Sequence, residues 1–313
     1  MLQLNAIEEA RERVGRYVRH TPLLKASPVK EPAGQASELY LKLECLQITG
    51  SFKARGAVNK LLSLEPQQVA RGIVTASGGN HGLGVAYAGW LAKTNTRIYL
   101  PHGTPAVKAQ KLESWGAQVI FEGEVWDEAN RAALAAAQSE GLAYIHPFAD
   151  EMVMAGQGTV GLEILEDQPE IDVVLVAIGG GGLISGVSTA LKALKPGIKV
   201  IGVEPVGAPT LYESLRAGRP VELSEIRTSA GTLAPRQSTA LNLEIIRRNV
   251  DEIVLVSDEE MLEAARWLWF EMGIAAELSG AAALAALLSH KVAYRPTQNV
   301  CALVCGAGSD GMS

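Results

Sequence analysis

The run Asp172-Val173-Val174-Leu175-Val176-Ala177-Ile178, apolar without alternation and ending directly in Gly179-Gly180-Gly181-Gly182, constrains this chain more than any other segment. A strand with one wet face alternates; one that does not alternate is covered on both faces, as strands are when helices pack on either side of a parallel sheet. Further short β-branched or apolar runs occur at 39–43, 72–75, 97–100, 118–121, 199–203, 253–256 and 300–304, and amphipathic stretches separate most of them. This order predicts an α/β chain of two doubly wound domains with mainly parallel sheets. At about 150 residues per domain, 313 residues accommodate both. The expected division is a small domain over 50–147 and a large domain over 1–49 plus 148–313, with the run at 39–43 returning to the large sheet. Asn5 and Glu8 have the spacing of a capping box ahead of a first helix.

Charge and composition exclude several classes of function. Twenty-eight basic against 34 acidic residues give a net charge of −6, a poor match to nucleic acid. Cys45, Cys301 and Cys305 form no CxxC pair, so neither a disulfide framework nor a four-thiolate zinc site is expected. Glu8, Glu9, Arg11, Glu12 and Arg13 interrupt the N-terminus where a secretory signal needs an apolar core, and no run approaches membrane-spanning length. A cytoplasmic protein without a membrane partner is expected. Trp267, Trp269 and Phe270 read as core or dimer packing, Cys45 as a small buried hydrophobe, and Glu163, Glu166 and Asp167 as an exposed helix end.

Three glycine-rich turns each follow a predicted strand: Ser77-Gly78-Gly79-Asn80-His81-Gly82, the run at 179–182 with Leu183, and Cys305-Gly306-Ala307-Gly308. In an open parallel sheet such turns lie at the carboxyl ends of the strands, where ligands bind. Glycine lets backbone approach a ligand closely, and the helix start that follows offers unpaired N–H groups, so the run at 179–182 can cradle an anion. GxGxxG spacing fails there, because glycine would be needed at Ile184 or Ser185, and no turn continues into the Gly-Lys-Ser/Thr of a Walker A loop. The phosphate of another cofactor is left. Lys53, next to Phe52 and boxed by small residues in Gly50-Ser51-Phe52-Lys53-Ala54-Arg55-Gly56, has the setting Schiff-base chemistry requires: an amine able to lose its proton beside room for a flat aldehyde.

With His20-Thr21-Pro22-Leu23, His146-Pro147-Phe148, Ala155-Gly156-Gln157-Gly158-Thr159, Gly202-Val203-Glu204-Pro205 and Glu277-Leu278-Ser279-Gly280-Ala281, these motifs run colinearly through nearly the whole chain. The set resembles the fold-type II pyridoxal-phosphate enzymes, with their tryptophan synthase β-like fold, and within them the serine/threonine dehydratase (ammonia-lyase) and serine racemase family. The resemblance implies that Lys53 bonds covalently to pyridoxal 5'-phosphate, with Phe52 packed near the ring. It implies also that Asn80 meets the ring hydroxyl, that Gly179, Gly180, Gly181, Gly182 and Leu183 hold the phosphate, and that Cys305 meets the pyridine nitrogen. Ser77, Gly78, Gly79, Asn80 and His81 would bind the carboxylate of an amino-acid substrate, and a homodimer is expected. A thiol donates weakly, so the ring nitrogen would stay unprotonated, favouring prompt loss of a β-substituent.

Departures from the family pattern discriminate among activities. Racemases of the group resemble Ser-Ser-Gly-Asn in the first turn, the second serine returning a proton to the opposite face; here Gly78 stands in that place. The expected activity is therefore β-elimination from a 3-hydroxy amino acid, serine, threonine or a relative, giving a 2-oxo acid and ammonia. A racemase and a non-catalytic binding protein are the alternatives, the latter disfavoured by retention of Lys53. The family's divalent-cation site lacks its aspartate, Thr210 replacing it beside Glu204 and Ala208, so no metal is expected. Ser229-Ala230-Gly231 and Glu277-Leu278-Ser279-Gly280 depart from the usual Ala-Asp-Gly and Glu-Pro-Ser/Thr-Gly, leaving a bulkier substrate such as a phenylserine, or 3-hydroxyaspartate, open.

Overall fold

The computed structural model describes residues 2–34 and 36–312. The chain starts with α1 (Leu4–Val14), β1 (Leu23–Lys25) and β2 (Glu38–Lys42). It then runs through α2 (Lys53–Leu62), α3 (Pro66–Arg71), β3 (Ile73–Ala76), α4 (Asn80–Ala92), β4 (Thr96–Leu100), α5 (Ala106–Glu113), β5 (Gln118–Phe121), α6 (Trp126–Glu140) and β6 (Ala143–Tyr144). There follow α7 (Glu151–Asp167), β7 (Ile171–Ala177), α8 (Gly182–Leu194), β8 (Lys199–Pro205), α9 (Thr210–Ala217) and α10 (Ala240–Asn249). The last elements are β9 (Glu252–Val256), α11 (Asp258–Met272), α12 (Leu278–Leu288) and β10 (Asn299–Leu303).

The strands form a six-stranded sheet in the order β1-β2-β10-β7-β8-β9 and a four-stranded sheet in the order β5-β4-β3-β6. Every pairing is parallel except β1 with β2. The apolar run at 172–178 forms the central strand β7, buried along its length apart from the half-buried Asp172. The segment at 39–43 does return to the large sheet, where Leu39 of β2 faces Val300 of β10. Around that sheet Val174, Leu175, Val176, Ile201, Leu284 and Leu303 form one apolar core. The α/β architecture with mainly parallel sheets is thus as expected.

Several local expectations need correction. α1 starts at Leu4 with Gln3 in the capping position and no side-chain cap, so Asn5 lies inside the first turn instead of closing a box with Glu8. Packing decides this start: Ile7, Ala10 and Val14 are buried on one face, and Ile7 Cδ1 lies 2.7 Å from where a side chain on Gly158 of α7 would begin. Glu163 is not part of an exposed helix end. It is buried, 2.6 Å from Arg55 Nη1 and 2.7 Å from Lys42 Nζ. The strands β1 and β6, three and two residues long, escape any periodicity criterion. Trp267 packs inward with its indole N–H donating to the Glu31 carbonyl at 2.6 Å, whereas Phe270 is 75% exposed. Cys45 is buried as expected.

Candidate active site

Three strand ends supply the site. β3 leads through Ser77-Gly78-Gly79 into α4, β7 through Gly179-Gly180-Gly181 into α8, and β10 into the turn with Cys305 and Gly306. Contacts join these turns. Asn80 Nδ2 donates to Glu277 Oε1 at 2.7 Å, and a Cβ placed on Gly306 would come within 2.4 Å of that oxygen and 3.2 Å of Asn80 Nδ2. Thr232 bridges the first and second turns, because a Cβ on Gly79 would meet its Cγ2 at 3.8 Å and one on Gly179 its carbonyl oxygen at 2.9 Å. Phe52 and Lys53 reach the same place, since the Phe52 N–H donates to the Cys305 carbonyl and Ser51 pairs with Gly306.

The glycines at 179–182 are a packing requirement. Added Cβ atoms on Gly180 and Gly182 would sit 2.2 Å from the Phe148 ring and 2.8 Å from its Cα, and Gly181 has φ +91°. Gly181 caps α8 without any side-chain acceptor, so the N–H groups of the first turn, Gly182 and Leu183 among them, are left to an outside anion. Lys53 Nζ donates to the Pro147 carbonyl at 2.7 Å, one residue from Phe148, and lies 5.1 Å from the Phe52 ring centroid. Burial lowers the Lys53 ammonium to about 8, against a weaker upward pull from Cys305 and Glu277. A desolvated amine beside a backbone anion cradle fits an aldehyde that carries a phosphate. The unpartnered, buried Ser51 hydroxyl two residues away leaves a further polar atom for such a group.

The remaining predicted residues are placed as follows. Ser77 Oγ accepts the Gly79 N–H at 3.2 Å, shaping its own turn. Gly78 is flanked by Leu100 and Thr104, each 3.3 Å from the position of a Cβ, and by the Lys108 stem. The His81 ring is buried, its Nε2 3.0 Å from both the Ile145 carbonyl oxygen and Thr75 Oγ1, and burial, with Lys53 adding to it, lowers its pKa to about 3. Cys305 is buried, its thiol held protonated by desolvation and donating to the Ser279 carbonyl at 3.3 Å.

Sequence reasoning missed three participants. His146 accepts the Phe148 and Ala149 amides on Nδ1 at 3.2 and 2.8 Å, and burial lowers its pKa to about 4, so its neutral ring carries the proton on Nε2. Thr232 donates to Glu277 at 3.3 Å and also bonds Ser279 Oγ. Glu277 is the carboxylate at the centre of the site; burial raises its pKa while Asn80 and Thr232 oppose the rise. A carboxylate directly before a predicted helix was the available signal for Glu277; Thr232 had none.

The family's metal position is built differently. Both Glu204 carboxylate oxygens accept amides at the start of α9, from Leu211 at 2.8 Å and Tyr212 at 2.7 Å, and Thr210 Oγ1 donates to Pro235. Among the described residues no cluster of three or more His, Cys, Asp or Glu side chains is arranged for a metal, and no helix is long and apolar enough to cross a membrane.

The chain is similar to known proteins over most of its length. The chain is 43% identical over 289 residues to an L-threonine ammonia-lyase of Thermotoga maritima, covering 92% of this chain and 72% of that one. Its fold matches maize serine racemase with a TM-score of 0.93 at 33% identity, covering 98% and 94% of the two chains. It matches the processed form of threonine deaminase isoform 2 from Solanum lycopersicum with a TM-score of 0.91 at 34% identity, covering 97% and 83%. The family model described as pyridoxal-phosphate dependent enzyme spans residues 14–306. With that model spanning most of its length and a relative at 43% identity, the chain belongs to the pyridoxal-phosphate-dependent enzymes.

Proposed function

We propose that this enzyme is an ammonia-lyase (dehydratase) that converts a 3-hydroxy amino acid, L-threonine, L-serine or a close relative, to a 2-oxo acid and ammonia by β-elimination. The observation that carries the reading is the desolvated Lys53, taken with a first glycine-rich turn in which Gly78 offers no side chain. Pyridoxal phosphate, when bound, supplies an aldehyde for amines and a conjugated ring that takes up the electron pair released at the substrate α-carbon.

The chain's own groups do the rest. First-turn amides of α8, with Gly179, Gly180, Gly181, Gly182 and Leu183, would hold the phosphate, and Phe52, whose ring lies 5.1 Å from Lys53 Nζ, would pack near the cofactor ring. Amides of the turn from Ser77 to His81 at the start of α4 hold the substrate carboxylate. Asn80 would donate toward the ring hydroxyl, and Cys305, a protonated thiol and no carboxylate, would stand at the ring nitrogen and leave it uncharged. Lys53, once free, takes the α-proton; the Pro147 carbonyl 2.7 Å away then accepts a hydrogen bond from the ammonium and steadies the proton until it goes to the departing hydroxyl. The enamine that leaves takes up water to give the oxo acid and ammonia.

Inversion needs a proton donor on the far face, and Gly78 supplies none, which weighs against the racemase reading despite the fold likeness to maize serine racemase. The Thermotoga relative's name, an L-threonine ammonia-lyase, supports elimination. The same reading takes residues 50–147 as the small domain and the rest as the cofactor-holding one, in a cytoplasmic homodimer whose subunit count sedimentation can test. Ammonia release from L-serine, L-threonine, threo-phenylserine and 3-hydroxyaspartate, with chiral analysis of recovered L-serine, tests the function. Ammonia from at least one substrate with L-serine recovered unchanged in configuration is expected; D-serine without ammonia contradicts it.

A further inference from the structure

Glu277 occupies the N-cap position of α12, where a carboxylate ordinarily accepts the helix's own first-turn amides. It accepts none of them. The Leu278 amide is taken instead by Asp310 Oδ2 at 2.8 Å, and Glu277 reaches across the cleft to Asn80 Nδ2 at 2.7 Å. Gly306 leaves the room for this, since a Cβ there would lie 2.4 Å from Glu277 Oε1. Thr232 Oγ1 holds the carboxylate from a third side at 3.3 Å and bonds the Ser279 hydroxyl, while the Ser279 carbonyl takes the Cys305 thiol. One polar chain therefore joins Asn80, assigned to the ring hydroxyl, and Cys305, assigned to the ring nitrogen.

We propose that Glu277 is a positioning residue: its carboxylate pins the Asn80 amide so that the free N–H of Nδ2, and not Oδ1, is offered to the ring hydroxyl, and it sets the negative charge that the cofactor-bearing lysine experiences. An ionised carboxylate can only accept, so it fixes which way the amide points, which a neutral partner able to donate and accept does not. The inference rests on the cofactor placement in the proposed function. Besides Asn80, the titratable or charged groups that influence Glu277 or are influenced by it are Lys53 from α2, Lys108 from α5, Asp310 beyond β10 and Cys305.

The test is the pH midpoint of the cofactor's absorbance change in reconstituted protein. Glu277→Gln, which keeps the shape and removes the charge, lowers the midpoint, because an opposite charge is lost from the surroundings of Lys53. Thr232→Val shifts it the same way by less and serves if Glu277→Gln does not fold. Asp310→Asn, which disturbs the same helix start without touching Asn80, leaves it in place. An unchanged midpoint in coloured Glu277→Gln protein, or in Thr232→Val protein when Glu277→Gln does not fold, or an equal shift in Asp310→Asn, overturns the inference alone. A wild-type protein that takes up no cofactor overturns the functional reading beneath it.

Discussion

Two cations two residues apart on α2 have opposite surroundings. Arg55, with no exposed surface, donates to Glu44 at 2.8 and 2.7 Å, to Glu163 at 2.6 and 2.9 Å, and to Thr159 and the Arg19 carbonyl, and its pKa is raised in spite of burial. Lys53 has one carbonyl and one ring as neighbours, no carboxylate within salt-bridge distance among the described residues, and a pKa lowered to about 8. Burial acts on both; pairing decides the outcome. The paired cation anchors the helix to α7 and to the segment after β2, and the unpaired one is left chemically reactive at the end of that anchor. Lys42, buried beside Glu163, completes a compensated set that reaches the surface through Asp167 and His20.

Substitutions break the comparison to different depths. Lys53→Ala should fold as the wild type does by circular dichroism yet lose ammonia release by roughly 10³-fold or more, the scale expected when one group is both covalent anchor and base. Arg55→Ala should cost about 3–5 kcal/mol in urea unfolding, because the buried Glu44 loses its counter-charge and Glu163 is left with Lys42 alone. A loss under about 1 kcal/mol would mean that water or rearrangement compensates them, and the contrast with Lys53 would fail.

A subtler effect comes from the pH dependence of the cofactor-free chain. The folded Lys53 value, about 8, lies below the ordinary 10.5, so the fold bears the full cost of the buried ammonium below pH 8 and sheds it as pH rises from 8 to 10.5. Lys53→Met should therefore be more stable than wild type at pH 7, with the difference shrinking toward pH 10.5; a constant difference across that range contradicts the assignment. The smallest effect belongs to the rim of the charged set. The His20 ring, half exposed, pairs with Asp167 at 2.8 Å, and His20→Ala should cost no more than about 1 kcal/mol and less in high salt.

The same contrast marks what a linear sequence can disclose. β7 and its glycine turn were legible because burial on both faces leaves a composition signal within seven residues. Lys53 was legible through the small residues and the aromatic beside it. Arg55 and Glu163 were not, although Arg55 stands in the same quoted motif, because their meaning lies in a pairing 108 positions apart that no local pattern encodes. The same holds for Glu277 and Asn80, 197 positions apart, and for the His81 ring, whose partner Ile145 stands 64 positions away, just after β6. The start of α1 was misread for a related reason: the local cap favoured Asn5, and packing of Ile7 against α7 overruled it.

The most direct measurement is a peptide map of protein reconstituted with pyridoxal 5'-phosphate and reduced with borohydride. The account predicts a coloured protein whose visible-edge band disappears on reduction and a single modified peptide carrying the label on Lys53. A colourless protein, or a label on another lysine with Lys53 untouched, contradicts it.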